Sequence, residues 1–168
     1  MRLNRIITVL ALLAVAGAGL FSILTMPKPA VTGTLPPRTA NLANGEIMFN
    51  AGGCASCHET PKQEDTRRLG GGLALNTAFG RFYVPNLSSD PAHGIGAWSE
   101  EAFVNAMLRG IGRNGEHLYP AFPFTSYQRM TLEDVRDLFA FLRTLPPEST
   151  PSRPHELPFP FNVRRGLG

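Results

Sequence analysis

Apolar and polar positions follow different rules in successive parts of this chain. Arg2 and Arg5 precede an uncharged, mostly apolar run from Ile6 to Met26. A charged start followed by an apolar segment is the pattern of export. Because about 20 such residues cross a bilayer, residues 1–26 are expected to form a signal or membrane-anchor helix. Ala14-Val15-Ala16 has the small-x-small form of a cleavage site, yet the apolar character continues to Leu24. The expectation is an uncleaved anchor with its arginines on the cytoplasmic side. The rest of the chain then works on the periplasmic side of the inner membrane.

Residues 27–39, "PKPAVTGTLPPRT", carry four prolines and no apolar period, which predicts an extended tether. From residue 40 to 52, Leu42, Ile47 and Phe49 alternate with polar positions as in an amphipathic helix, weakened by Gly45. Residues 59–72 read as a polar surface loop that ends in three glycines, a flexible or tight passage. The next stretch, "LALNTAFGRFYVPNLSSD", holds two short β-prone pieces and a turn near Gly80, a small hairpin. Ser99 caps a helix over 99–109 that has Glu100 and Glu101 in its first turn, Phe103, Ala106 and Met107 inward, and Gly110 as its stop. Thr131 caps a second helix, with Leu132, Val135, Leu138, Phe139, Phe141 and Leu142 at helical spacing. Arg143 and Pro146-Pro147 end it. These elements predict an all-α domain over 40–147 with long ordered loops. A proline-rich extension, 148–168, follows, whose apolar piece Leu157 to Phe161 should pack on its own domain or on a partner.

Composition narrows the class. With 168 residues and 43% hydrophobic content, one core is expected beside the leader. The net charge of +3 falls to +1 without the two leader arginines, and the basic residues form no run. Nucleic acid is therefore not an expected partner.

The only two cysteines lie in Cys54-Ala55-Ser56-Cys57-His58, "CASCH". One helical turn puts Cys54 and Cys57 on one side with His58 beside them. C-x-x-C-H is the form in which two thiols add across the vinyl groups of haem and the histidine binds its iron. The competing readings are weaker. Zinc would need a second Cys pair or a spaced His pair. A thioredoxin-like dithiol would need a strand before Cys54, where the pattern is helical. A disulfide across three positions closes too small a loop to stabilise much. Export favours haem, since attachment happens outside the cytoplasm.

A haem iron has a second face. Met1 and Met26 belong to the leader or its edge, and Met48 sits too near Cys54 on the same helix to cross over. Met107, on an apolar helix face, reads as core filling. Met130 follows the proline-bearing loop "EHLYPAFPFTSYQR" and precedes the last helix, where a thioether can be held over a flat cofactor. Met130 is the preferred sixth ligand, with Met107, His93, His117, His155 or an open position as alternatives.

The stretches "NGEIMFNAGGCASCHETP", "LGGGLAL", "FGRFYVPNLSSDPAHGIGAWSEEAFVNAML" and "LYPAFPFTSYQRMTLEDVRDLFAFLRTLPP" resemble exported c-type cytochromes related to the cytochrome subunits of bacterial alcohol and sugar dehydrogenases. The resemblance covers roughly residues 40–165. It implies a cytochrome c fold around one covalent haem c, with thioethers on Cys54 and Cys57 and His58 as proximal ligand. In relatives the distal methionine stands at the position of Phe122 or of Met130; phenylalanine occupies the first here, which points to Met130. Close relatives with an ending like "HELPFPFNVRRGLG" often continue into a second haem domain, so the chain is expected to be a shortened monohaem protein or part of a dihaem one. Trp98 and Tyr127 are candidate donors to haem propionates, or else plain edge-of-core aromatics. Phe82, Phe122, Phe124 and Leu138 are candidate lining. The implied role is electron transfer without bound substrate, from a dehydrogenase donor to a cytochrome, quinone site or oxidase.

Overall fold

Helix α6 (Leu132–Leu142) starts where its sequence directs it to. The Thr131 hydroxyl accepts the Asp134 N–H at 3.1 Å while the Asp134 carboxylate accepts the Thr131 N–H and hydroxyl, a reciprocal box that satisfies the first turn. Val135, Leu138, Phe139, Phe141 and Leu142 are buried along it. The computed structural model describes residues 2–162, so residues 163–168 of the C-terminal extension lie outside the described part. Helix α4 (Glu100–Arg109) is capped by Ser99, whose hydroxyl accepts the Ala102 N–H, and it stops at the left-handed Gly110. The Phe103 ring of α4 stacks on Phe139 of α6 at 4.8 Å.

Helix α2 (Leu42–Ala51) lies across α6. Gly45, which propensity marks as a weak point, is the crossing: a Cβ there would lie 2.2 Å from the Asp137 carbonyl oxygen and 2.7 Å from the Phe141 Cβ. Only a residue without a side chain allows that approach. Next to it Phe49 packs on Phe141, and both join the buried cluster of Leu69, Ile95, Val104, Met107, Val135, Leu138 and Leu142. Full burial of such side chains contributes about 1.5–3 kcal/mol each.

Between α2 and α4 come the single turn α3 (Cys54–His58) and an antiparallel hairpin, β1 (Ala74–Thr77) and β2 (Gly80–Tyr83), in the register Leu75 opposite Phe82 and Thr77 opposite Gly80. The expected hairpin is present, its turn made by Ala78 and Phe79. A four-residue helix α5 (Phe124–Tyr127) precedes α6; its segment is too short for any periodicity to reveal it. The described chain is thus mostly helical with one small sheet.

One flanking segment differs from its sequence expectation, and the other packs on the domain, one of the two outcomes expected for it. Residues 27–38 are extended, as their prolines require, but they are strapped to the domain rather than free. The buried Asn105 amide of α4 accepts from Ala30 and Val31 N–H and donates to the Val31 carbonyl. Arg136 donates to the Pro36 carbonyl at 2.6 Å, and Arg38 pairs with Asp137. Likewise, residues 148–156 are stitched in: the buried Asn86 amide donates to the Glu148 and Thr150 carbonyls, and Glu156 bridges to Arg81 of β2. The Leu157 side chain lies close over Gly80. Helix α1 (Arg2–Leu24) buries none of its residues, and its most apolar 18-residue stretch has a mean hydropathy of 2.5.

Candidate functional site

The site grows from a break between two helices. Gly53 takes a left-handed conformation, φ +64°, so the chain leaves α2 and restarts as α3 at Cys54. Both thiols on this turn are free; Cys54 is half-buried and Cys57 exposed. Burial pushes the Cys54 thiol up to about 11, which keeps it protonated at neutral pH. The thiols are therefore not joined to each other, and Cys54 is not ionised as a metal-bound thiol would be. Among the described residues no group of three or more His, Cys, Asp or Glu is arranged to hold a metal ion, which leaves the zinc reading without a donor set there.

His58 is set by two hydrogen bonds, one to its ring and one to its backbone. Its Nδ1 lies 2.9 Å from the Pro85 carbonyl oxygen; a carbonyl only accepts, so Nδ1 carries the proton and Nε2 keeps its lone pair for a ligand role. Enclosure by protein lowers the imidazole pKa and favours the neutral ring that a metal requires. The His58 carbonyl accepts the Gly71 N–H at 2.9 Å. Gly71 has φ +69°, and a Cβ on it would lie 2.4 Å from the Pro85 carbonyl oxygen. The three-glycine stretch is thus a tight passage that lets one backbone lie on another. Leu87 N–H to Leu69 O, Gly72 N–H to Val84 O and Val84 N–H to Leu73 O close it into a ladder, and Asn86 fixes the outer strand through the tail.

Met130 follows α5, its N–H donating to the Tyr127 carbonyl, and it is half-buried and packed against the core, as Phe122, Tyr127 and Cys54 also are. Tyr127 ties this segment to the cysteine turn: its hydroxyl donates to the Gly52 carbonyl at 3.0 Å, and the place where a Gly52 Cβ would stand is 3.6 Å from both the Tyr127 ring and the Cys54 Sγ. Its hydroxyl therefore serves the backbone ahead of Cys54. Phe122 packs on Tyr127 at 5.7 Å between ring centres. Phe82 instead packs with Tyr119 and His155, Phe124 lies against Gly110, and Leu138 is deep in the core. Met107 is buried core filling. His117 donates from Nε2 to the Thr25 carbonyl, and the His93 backbone N–H donates to Asp90.

The donor set fits a covalent haem: two free thiols on one turn, a neutral imidazole with Nε2 available, and a thioether on a segment tied to that turn through Tyr127. Pro85, Gly71 and Asn86 were not singled out from the sequence. The signs of them were the three-glycine run and a Pro-Asn pair just past β2, both of which read equally well as ordinary turns.

Residues 42–146 match the family model described as cytochrome c. A diheme cytochrome c-type protein of Cereibacter sphaeroides is 46% identical over 95% of this chain, and the chain covers 54% of it. The fructose dehydrogenase cytochrome subunit of Gluconobacter japonicus is 36% identical over 93% of the chain, which covers 31% of that subunit. The gluconate 2-dehydrogenase cytochrome c subunit of Pantoea cypripedii is 32% identical over 74% of the chain, which covers 28% of that subunit. The chain thus spans about half the length, or less, of these curated relatives.

Proposed function

We propose that this chain, which belongs to the cytochrome c family, is an electron carrier with one haem c bound within the described residues. Cys54 and Cys57 would hold the group covalently, as thioethers to its two vinyl carbons, and His58 through Nε2 and Met130 through its sulfur would serve as the protein ligands of its iron. When bound, the group supplies a one-electron ferric–ferrous couple. The protein's own part is to hold it. Pro85 orients the imidazole and makes it a better donor through the Nδ1 proton. A thioether on the far side favours the ferrous state and denies substrates an open position. No side chain then has to act as acid, base or nucleophile, so the chain is a carrier and not an enzyme.

What carries this reading is the His58–Pro85 hydrogen bond next to two free thiols on the same turn. Relatives named as dehydrogenase cytochrome subunits support a dehydrogenase as electron donor and a further cytochrome, quinone site or oxidase as acceptor. Helix α1 supports placement on the periplasmic side of the inner membrane, with α1 as anchor. The diheme relative favours a second reading, in which this unit passes its electron to another haem of the same protein. Mass spectrometry of the denatured native protein tests the attachment: the expected gain is roughly six hundred daltons per haem, lost when Cys54 and Cys57 are both replaced by Ala. A gain of twice that amount would favour the second reading, and an unmodified mass would refute both.

A further inference from the structure

Outside α1, two exposed phenylalanines of the described chain meet, and a third lies two residues from one of them. Phe79, at the hairpin turn, is 53% exposed; Phe159 is 79% and Phe161 38% exposed. The rings of Phe79 and Phe161 meet edge to face at 5.0 Å, contributed by segments that are distant in sequence. Exposed apolar surface of this kind marks a site of interaction.

Its position relative to α1 indicates with what. Helix α1 has 23 residues, a length of about 34 Å against a hydrocarbon core of about 30 Å, so its C-terminal end falls at the outer boundary. There the Thr25 carbonyl accepts from the His117 ring. Two residues along the chain, the Tyr119 hydroxyl donates to the Phe161 carbonyl at 3.0 Å, and Phe161 touches Phe79. The patch is therefore linked to the end of the anchor through a short run of direct contacts. The strap removes the alternative of a swinging domain, because Asn105, Arg136 and Asp137 hold residues 30–38 from the first turn after the anchor onward.

We propose that Phe79, Phe159 and Phe161 enter the headgroup layer of the phospholipid bilayer that α1 spans, and fix the domain on the membrane in one orientation. This rests on the anchor reading of α1. Aromatic and aliphatic side chains at that depth bury apolar area in the manner of interfacial helices.

The test uses the haem-loaded full chain in vesicles of phosphatidylethanolamine and phosphatidylglycerol, carrying a nitroxide on Phe79→Cys or Phe159→Cys, the other phenylalanines intact. In the reduced protein, relaxation by oxygen should exceed that by a water-soluble nickel chelate several-fold at both positions, and the order should reverse for a label on Ile47→Cys, an equally exposed apolar position on α2. Chelate access dominating at 79 and 159 would overturn the proposal. So would dipolar broadening between labels that grows with protein density, which would make the patch a contact between copies. Vesicle flotation after an alkaline wash is scored separately: a chain that floats with water-exposed labels refutes the patch alone, whereas one that fails to float refutes the anchor as well.

Discussion

The Pro85 carbonyl decides which nitrogen of His58 carries the proton, and Gly71 is what allows the two backbones to lie close enough around it. Replacing Gly71 by Ala forces an L residue into the left-handed region, a cost of about 1–2 kcal/mol, and pushes its Cβ against the Pro85 carbonyl. Thermal unfolding of the holoprotein should shift down by several degrees, and a redox titration should show a changed potential because the support of His58 has moved. An unchanged potential would mean that the His58–Pro85 bond does not depend on this contact. At Met130 the expected result of Met130→Ala is new carbon monoxide binding by the ferrous protein and a lower potential. If neither changes, the distal ligand is another residue. The sequence singles out Cys54, Cys57 and His58 as candidates because their chemistry is carried by residue type and local spacing, and Met130 by exclusion of the other methionines. Gly71, Pro85 and Asn86 are not singled out, since each acts on a partner far along the chain and none bears a reactive group.

At the scale of elements the same division holds. The caps of α4 and α6 were readable because Ser99 and Thr131 bond to N–H groups three positions away. The merit of Gly45 was hidden because its neighbour, Asp137, lies on another helix. Asp137 also joins three segments, accepting from Arg38, the Asn41 N–H and Asn44. Burial alone would raise its pKa; the hydrogen bonds from Arg38, Asn41 and Asn44, with the charge of Arg38, outweigh that and hold the carboxyl below the usual range. Hydrogen bonds from Asn44 and Thr131 do the same for Asp134. In acid the unfolded chain, with carboxyls near 3.9, takes up these protons first, so the unfolded state gains. The stabilisation is full above about pH 4 and disappears as pH falls through the lower folded values. Urea unfolding of the holoprotein should therefore show a midpoint that declines below about pH 4, with Asp137→Asn less stable at pH 7 and shallower in its acid decline. A midpoint insensitive to acid in the unsubstituted protein would contradict the role given to this junction.

For the molecule as a whole, segments that looked like connectors turn out to be structural. Their prolines announced extended backbone, but the side chains that bind that backbone, Asn105, Arg136 and Asn86, sit elsewhere in the sequence. Truncation after Pro147 removes both acceptors of the buried Asn86 amide and the Glu156 partner of Tyr83. Each buried polar group left unpaired costs about 1–3 kcal/mol. The urea midpoint of the truncated protein should drop clearly; an unaltered midpoint would make the tail a passive appendage. The central claim is that the whole chain serves as an electron carrier with its iron closed on both faces by His58 and Met130. Exposing the reduced, unsubstituted full-length holoprotein to carbon monoxide at neutral pH addresses that claim most directly. The account predicts a spectrum that does not change, while rapid formation of a carbon monoxide adduct would contradict it.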